Sequence, residues 1–185
     1  DPAIGPIQDA QRAIQWVRER TATFGVNPDR VGVMGFSAGG HLASTAGTHF
    51  TKTYIANKSG INLRPDFMVL VYPVVTMAET FKHAGSVANL LGKDPSVELR
   101  TKFSAEKNVT KRTPPTFLVH TTADKAVPSL NSVYLYQALL KHHVPAEMHI
   151  YQEGNHGFGL TLPHAGEQWM DRLQHWMEGN GWLKR

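Results

Sequence analysis

Apolar residues first recur along the chain at helical spacing. Ile7, Ala10, Ala13, Ile14 and Val17 fall on one face and Thr21 continues the register, with Asp9 near the start and Gly25 just past the end. This period predicts a helix over 7–24. Asn27-Pro28-Asp29-Arg30 reads as a turn. The pattern then changes to a short apolar run, 31–36, followed directly by Ser37 and by a stretch of small residues, 38–48, suited to a helix packed closely on a sheet. Residues 67–72 form an unbroken apolar run, as a strand buried on both faces requires. Residues 74–112 are irregular, with a short helix near 96–102. After Pro114-Pro115 comes a third strand, 116–121, then a helix over 130–141 and a last strand over 147–151. An amphipathic helix carrying Trp169, Leu173 and Trp176 closes the chain over 165–178. Strands alternating with helices predict an α/β fold: a three-layer sandwich with a mainly parallel sheet, because parallel neighbours need crossover connections.

Composition narrows this picture only slightly. The 185 residues fit one domain with a real core. No apolar run approaches the roughly 18 residues that a membrane-spanning helix needs. The net charge of +4 comes from basic residues scattered among acidic ones, without the clustered bases or interleaved aromatics of a nucleic-acid surface. Cysteine is absent, so disulfide and thiolate chemistry are excluded while the compartment stays open. Asp1–Pro6 has neither the basic segment nor the apolar core of a secretory leader. No His, Asp and Glu cluster stands at metal-ligand spacing, and no metal or organic cofactor is expected.

The chemistry concentrates around Ser37. Gly35-Phe36-Ser37-Ala38-Gly39 matches Gly-x-Ser-x-Gly, a nucleophile elbow, and here it lies between a predicted strand and a predicted helix. Such a turn strains the backbone, lifts the serine Oγ clear of the sheet and aims the next helix's N-terminus at the site. The Ala38 N–H is then the expected oxyanion donor.

A serine hydroxyl needs a base, and the base needs a carboxylate to orient it. Ten histidines compete. His120 and His149 lie inside strands, where packing roles dominate, and His142 and His143 end a helix. His41 sits too close to Ser37 in the chain to be the base, although it can line the site. His49, His83, His164 and His175 have no telling context. His156 follows the last strand in Gly154-Asn155-His156-Gly157-Phe158-Gly159, at the sheet edge where ligands bind in open α/β folds. The carboxylate belongs between serine and histidine in chain order, and Asp124 follows the third strand there. Glu153 and Asp94 are rivals, but neither occupies a strand-following loop in that order. Val127 and Phe158 join His41 as substrate-lining candidates by position.

These residues resemble a known family. Phe36-Ser37-Ala38-Gly39-Gly40-His41-Leu42-Ala43-Ser44, preceded by Asp29-Arg30-Val31-Gly32, is similar to α/β-hydrolase esterases of the acetyl-xylan esterase type, near the hormone-sensitive-lipase-like and dienelactone-hydrolase-like groups. The likeness runs through Tyr72-Pro73, Asn89-Leu90-Leu91-Gly92, Pro114 to His120, Pro145 to Tyr151, and His156-Gly157-Phe158-Gly159-Leu160. It implies Ser37, Asp124 and His156 as the triad of a serine esterase removing acetyl groups from sugars, with an oligosaccharide or small-molecule ester as partner and neither nucleic acid nor membrane involved.

The resemblance also implies strands and a His-Gly-Gly loop ahead of the elbow, the loop donating a second oxyanion N–H. This chain opens at the helix before the elbow, so the expected reading is the C-terminal part of the fold, with its N-terminal strands missing. Strand 31–36 would then be a sheet edge that invites pairing. For these residues alone, weak activity or a homo-oligomer covering that edge is expected. Two other readings compete. A serine peptidase of the prolyl-oligopeptidase type shares the elbow and chain order, but usually has a bulky aromatic where Ala38 stands. A non-catalytic binding protein on a hydrolase scaffold usually loses a triad member, and all three are present here.

Overall fold

The computed structural model describes residues 1–163 and 166–183. Helix α1 (Gly5–Glu19) begins with a proline in its first turn, where the missing N–H costs nothing. It does not continue to residue 24. The Arg20 N–H turns back to the Val17 carbonyl at 3.0 Å, and a separate short helix α2 (Thr21–Phe24) follows, ended by Gly25. Strand β1 (Val33–Phe36) leads through Ser37 into α3 (Ala38–Thr48). Strand β2 (Met68–Val71) is buried throughout, as its unbroken apolar run requires.

The region 74–112 is more ordered than its pattern suggests. It holds α4 (Ala84–Leu91), α5 (Val97–Lys102) and a single 3₁₀ turn, Ala105–Lys107. The start of α4 carries no usual cap residue. His83 accepts the Ser86 N–H instead, which hides the helix from a reading based on Ser, Thr, Asp or Asn. Strand β3 (Thr116–Thr121), helix α6 (Leu130–Lys141) and strand β4 (Ala146–Tyr151) follow as the pattern predicts. Helix α7 (Trp169–Gly179) starts later than expected, at a capping box formed by Gln168 and Asp171. Residue 165, the expected start, lies outside the described residues.

All strand pairs are parallel, and the sheet order follows the chain: β1, β2, β3, β4. Helices α3 and α6 cover one face, where Ala43, Leu135 and Leu139 meet Met68, Leu70 and Leu118. Helix α7 covers the other, where Trp169, Leu173 and Trp176 meet Val69, Val71, Phe117 and Val119. This is the expected three-layer sandwich. Among the described residues β1 is an edge strand, with Met34 47% exposed. Because the strands are parallel, the loops after β1, β3 and β4 all open at one end of the sheet, and this is where Ser37, Asp124 and His156 lie.

Candidate active site

Ser37 occupies a backbone conformation that L-residues avoid, with φ 52° and ψ −119°. A conformation of this kind costs on the order of 1–3 kcal/mol and persists only where the surroundings impose it. The imposing contacts are clear. The Ser37 N–H donates to Val71 at 3.0 Å, and its carbonyl accepts from Val74 at 3.1 Å and His41 at 3.2 Å. The elbow's glycines are not equivalent. A Cβ on Gly35 would sit 2.1 Å from the Gly39 carbonyl oxygen, so that glycine is required. A Cβ on Gly39 would meet open space, whereas one on Gly40 would strike Pro73 at 2.7 Å. On the helix side of the turn the steric demand thus falls on Gly40 and not on the second motif glycine. Ala38 opens α3, so its N–H has no intrahelical acceptor and remains available at the helix N-terminus.

The three side chains form one line. Ser37 Oγ lies 2.8 Å from His156 Nε2, and His156 Nδ1 lies 2.6 Å from Asp124 Oδ2. A carboxylate oxygen can only accept, so Nδ1 carries the proton and Nε2 presents its lone pair to the serine hydroxyl. The Asp124 side chain is wholly buried, while His156 keeps 24% exposure. Burial alone would raise the Asp124 carboxyl, but the opposing hydrogen bonds prevail: His156 and the amides of Val127 and Ala126, the latter two at 2.9 Å to Oδ1, hold it below the ordinary aspartate value. It is therefore ionised at neutral pH.

Tyr72 is a site residue that the sequence pattern does not single out. Its backbone is also left-handed, at φ 37°. Its ring meets the His156 imidazole edge-on at 4.9 Å between centroids and Phe158 at 4.6 Å, and its hydroxyl accepts the Gly159 N–H at 3.3 Å. The signals the sequence offers are its place at the end of a buried apolar run and the Tyr72-Pro73 pair within the family resemblance.

The lining candidates separate. His41 is buried, donates Nε2–H to the Phe103 carbonyl at 2.7 Å, and has its pKa lowered to about 4 by burial. It lines a cavity of about 410 Å³ with Ala38, Gly39, Leu42, Met77 and Phe103. Phe158 lines a second cavity, also about 410 Å³, beside Asn155, His156 and Leu162. Val127 is placed differently. Its side chain is 1% exposed and packs with Val74, Met77 and Phe103, and it is the Val127 backbone that touches Asp124. Among the described residues, no group of three or more His, Asp or Glu could hold a metal ion.

A strained serine turn and a strand-following histidine and aspartate, joined on one parallel sheet, make this an α/β-hydrolase. Solved structures agree. The acetyl ester-xyloside bifunctional hydrolase from Caldicellulosiruptor lactoaceticus superposes with a TM-score of 0.88 at 43% identity, over 96% of this chain and 66% of that one. Residues 2–139 match the BD-FAE family, and the chain belongs to it. An acetylxylan esterase of Xylanibacter ruminicola is 33% identical over 94% of this chain and 35% of its own length. The endo-1,4-beta-xylanase B of Butyrivibrio fibrisolvens is 36% identical over 84% of this chain and 25% of its own. The chain thus spans about a quarter to a third of the length of these two relatives.

Proposed function

We propose that this chain carries the catalytic centre of a serine carboxylesterase that removes small acyl groups, acetyl above all, from carbohydrate esters such as acetylated xylan. The observation that carries this reading is the continuous Ser37–His156–Asp124 line, at 2.8 and 2.6 Å. The esterases and the xylan-related hydrolase among its relatives support the substrate class.

In the proposed reaction, His156 Nε2 takes the Ser37 proton as Oγ attacks the ester carbonyl. The Ala38 N–H, at the positive end of α3, stabilises the oxyanion. The imidazolium then gives its proton to the departing sugar oxygen as the ester bond breaks, and an acyl-enzyme on Ser37 remains. Water, deprotonated by His156, attacks the acyl carbonyl, and the imidazolium returns that proton to Ser37 Oγ as the carboxylic acid leaves. Asp124 keeps Nδ1 protonated and faces the imidazolium as it forms. His41 contributes to the wall beside Ala38, and Phe158 to the wall beside His156.

Hydrolysis of p-nitrophenyl acetate and acetate release from acetylated xylan test the proposal. Ser37→Ala is expected to lose at least about 10³-fold in kcat, and a fluorophosphonate probe is expected to label Ser37. Parental turnover by the Ser37→Ala protein would overturn the assignment.

A further inference from the structure

His120, the penultimate residue of strand β3, has no exposed surface and lies between the apolar Val119 and Thr121, just ahead of the loop that carries Asp124. A residue serving only the core could be apolar here, as Leu118 and Val119 are. Burying an imidazole costs free energy unless its nitrogens are bonded, and both are. Nε2 lies 2.9 Å from the Val127 carbonyl oxygen and 3.4 Å from Asp124 Oδ2. Both partners only accept, so Nε2 carries the hydrogen. Burial lowers the pKa of His120 and keeps the ring neutral, so Nδ1 is the acceptor, and the Ser132 hydroxyl on α6, itself fully buried, donates to it at 2.8 Å.

The consequence reaches Asp124 by two routes. Val127, whose carbonyl oxygen receives the His120 N–H, donates its own backbone N–H to Asp124 Oδ1 at 2.9 Å. The weaker contact at 3.4 Å reaches Oδ2, the oxygen that receives His156 Nδ1–H. We propose that His120 is a positioning residue for the reaction, fixing the orientation of Asp124 and sharing its charge from beneath, with Ser132 fixing His120 in turn. The proposal rests on the Ser37–His156–Asp124 reading. The titratable groups that face His120 are Asp124 and His156; α6 presents the Ser132 hydroxyl and the loop presents the Val127 carbonyl.

The test is the pH profile of kcat for p-nitrophenyl acetate, normalised to active sites counted with a fluorophosphonate. Removing the His120 N–H leaves more of the carboxylate's charge for the His156 imidazolium, which then holds its proton more tightly. His120→Leu is expected to lower kcat about tenfold, a small part of the roughly 10⁴-fold that losing tautomer control costs in a triad. The acid limb is expected to move to higher pH, with KM little changed. His120→Gln, which keeps an N–H donor at the Nε2 position, should recover most of the loss. Ser132→Ala should move the limb in the same direction by less. The proposal is overturned by a His120→Leu enzyme with the parental kcat and acid limb, or by a Gln variant as impaired as Leu. Where His120→Leu does not fold, an unchanged limb in Ser132→Ala overturns it. Failure of the underlying triad reading would show separately, as activity retained in Ser37→Ala.

Discussion

The loops after β3 and β4 each supply one partner for the serine, and they are built differently. The β3 loop is a closed knot. Asp124 Oδ1 gathers two amides, Oδ2 receives His156 and lies near His120, and the loop's exit is tied by Asn131, whose side chain bonds Pro128, Phe81 and the amides of Val75 and Thr76. The β4 loop is an open span. Gly154, Gly157 and Gly159 all have positive φ, and a few bonds hold it: Thr121 Oγ1 to the Gly154 carbonyl at 2.6 Å, Trp169 Nε1 to the Gly159 carbonyl at 3.1 Å, and the Gly159 N–H to Tyr72. In the proposed reaction the carboxylate has one task, to stay still. The imidazole would serve both the serine and a second oxygen in each half of the cycle, the departing alcohol or the entering water, and a looser span suits small adjustments.

The contrast can be broken at several places. The largest expected effect is on catalysis. His156→Ala should cost about 10⁶-fold in kcat, as removing the base does in well-studied triads, and Asp124→Asn about 10⁴-fold. Steady-state kinetics at pH 7 would show whether that order is reversed. Next is the turn itself. Gly35→Ala forces a Cβ against the Gly39 carbonyl and should destabilise by about 3 kcal/mol or more in urea unfolding, whereas Gly39→Ala should change little. A smaller difference should appear in amide exchange, where the bonded Ala126 and Val127 amides should outlast those of Gly157 and Phe158 by at least about tenfold; equal rates would remove the distinction between the loops.

Acid sensitivity is expected from the side chains around the knot. His41 stays neutral in the folded protein down to about 4, while the unfolded chain takes up its proton near 6.5. Between these values protons favour the unfolded state. The His41 contribution is complete above about pH 6.5 and is lost as the pH falls towards 4, on the order of 3 kcal/mol. Asp124, held low by its donors, acts in the same direction at still lower pH. Urea midpoints between pH 7 and 4 should fall accordingly, and His41→Gln should flatten the slope. The smallest effect is expected from Tyr72→Phe. It removes one bond to the open span, worth about 1 kcal/mol, and should lower kcat a few-fold while leaving the Asp124 loop unchanged.

Most of the sheet was legible because its strands are apolar runs with turn residues on both sides. Strand 116–121 and helix 130–141 carry their boundaries in Pro115 and Lys141. Where sequence pattern and structure part, a polar contact that hydrophobic periodicity does not encode decided the outcome, local at Arg20 and His83 and tertiary along α1. The Arg20 break lies within an unbroken helical period. The α4 start uses a histidine cap. Gln11, Gln15 and Arg18 occupy the buried face of α1, where Gln11 and Arg18 bond the carbonyls of Lys52 and Asn62, a polar packing that hydrophobic periodicity cannot announce. Around the site, chain order pointed to Ser37, Asp124 and His156, because each follows a strand. Chain order has nothing to say about Val127, which serves through its backbone, or about Tyr72, whose role depends on a left-handed φ.

The sheet's order has a temporal consequence. Among the described residues the strands lie side by side in the order of synthesis, so each arriving strand finds its sequence neighbour already made. The serine turn comes early, the aspartate knot later and the histidine last. A ribosome-bound chain that has emerged through the loop after β3 but not through β4 would hold the serine and the carboxylate with no imidazole to link them. On the proposed assignment, the Ser37–His156–Asp124 line closes only once β4 has taken its place beside β3.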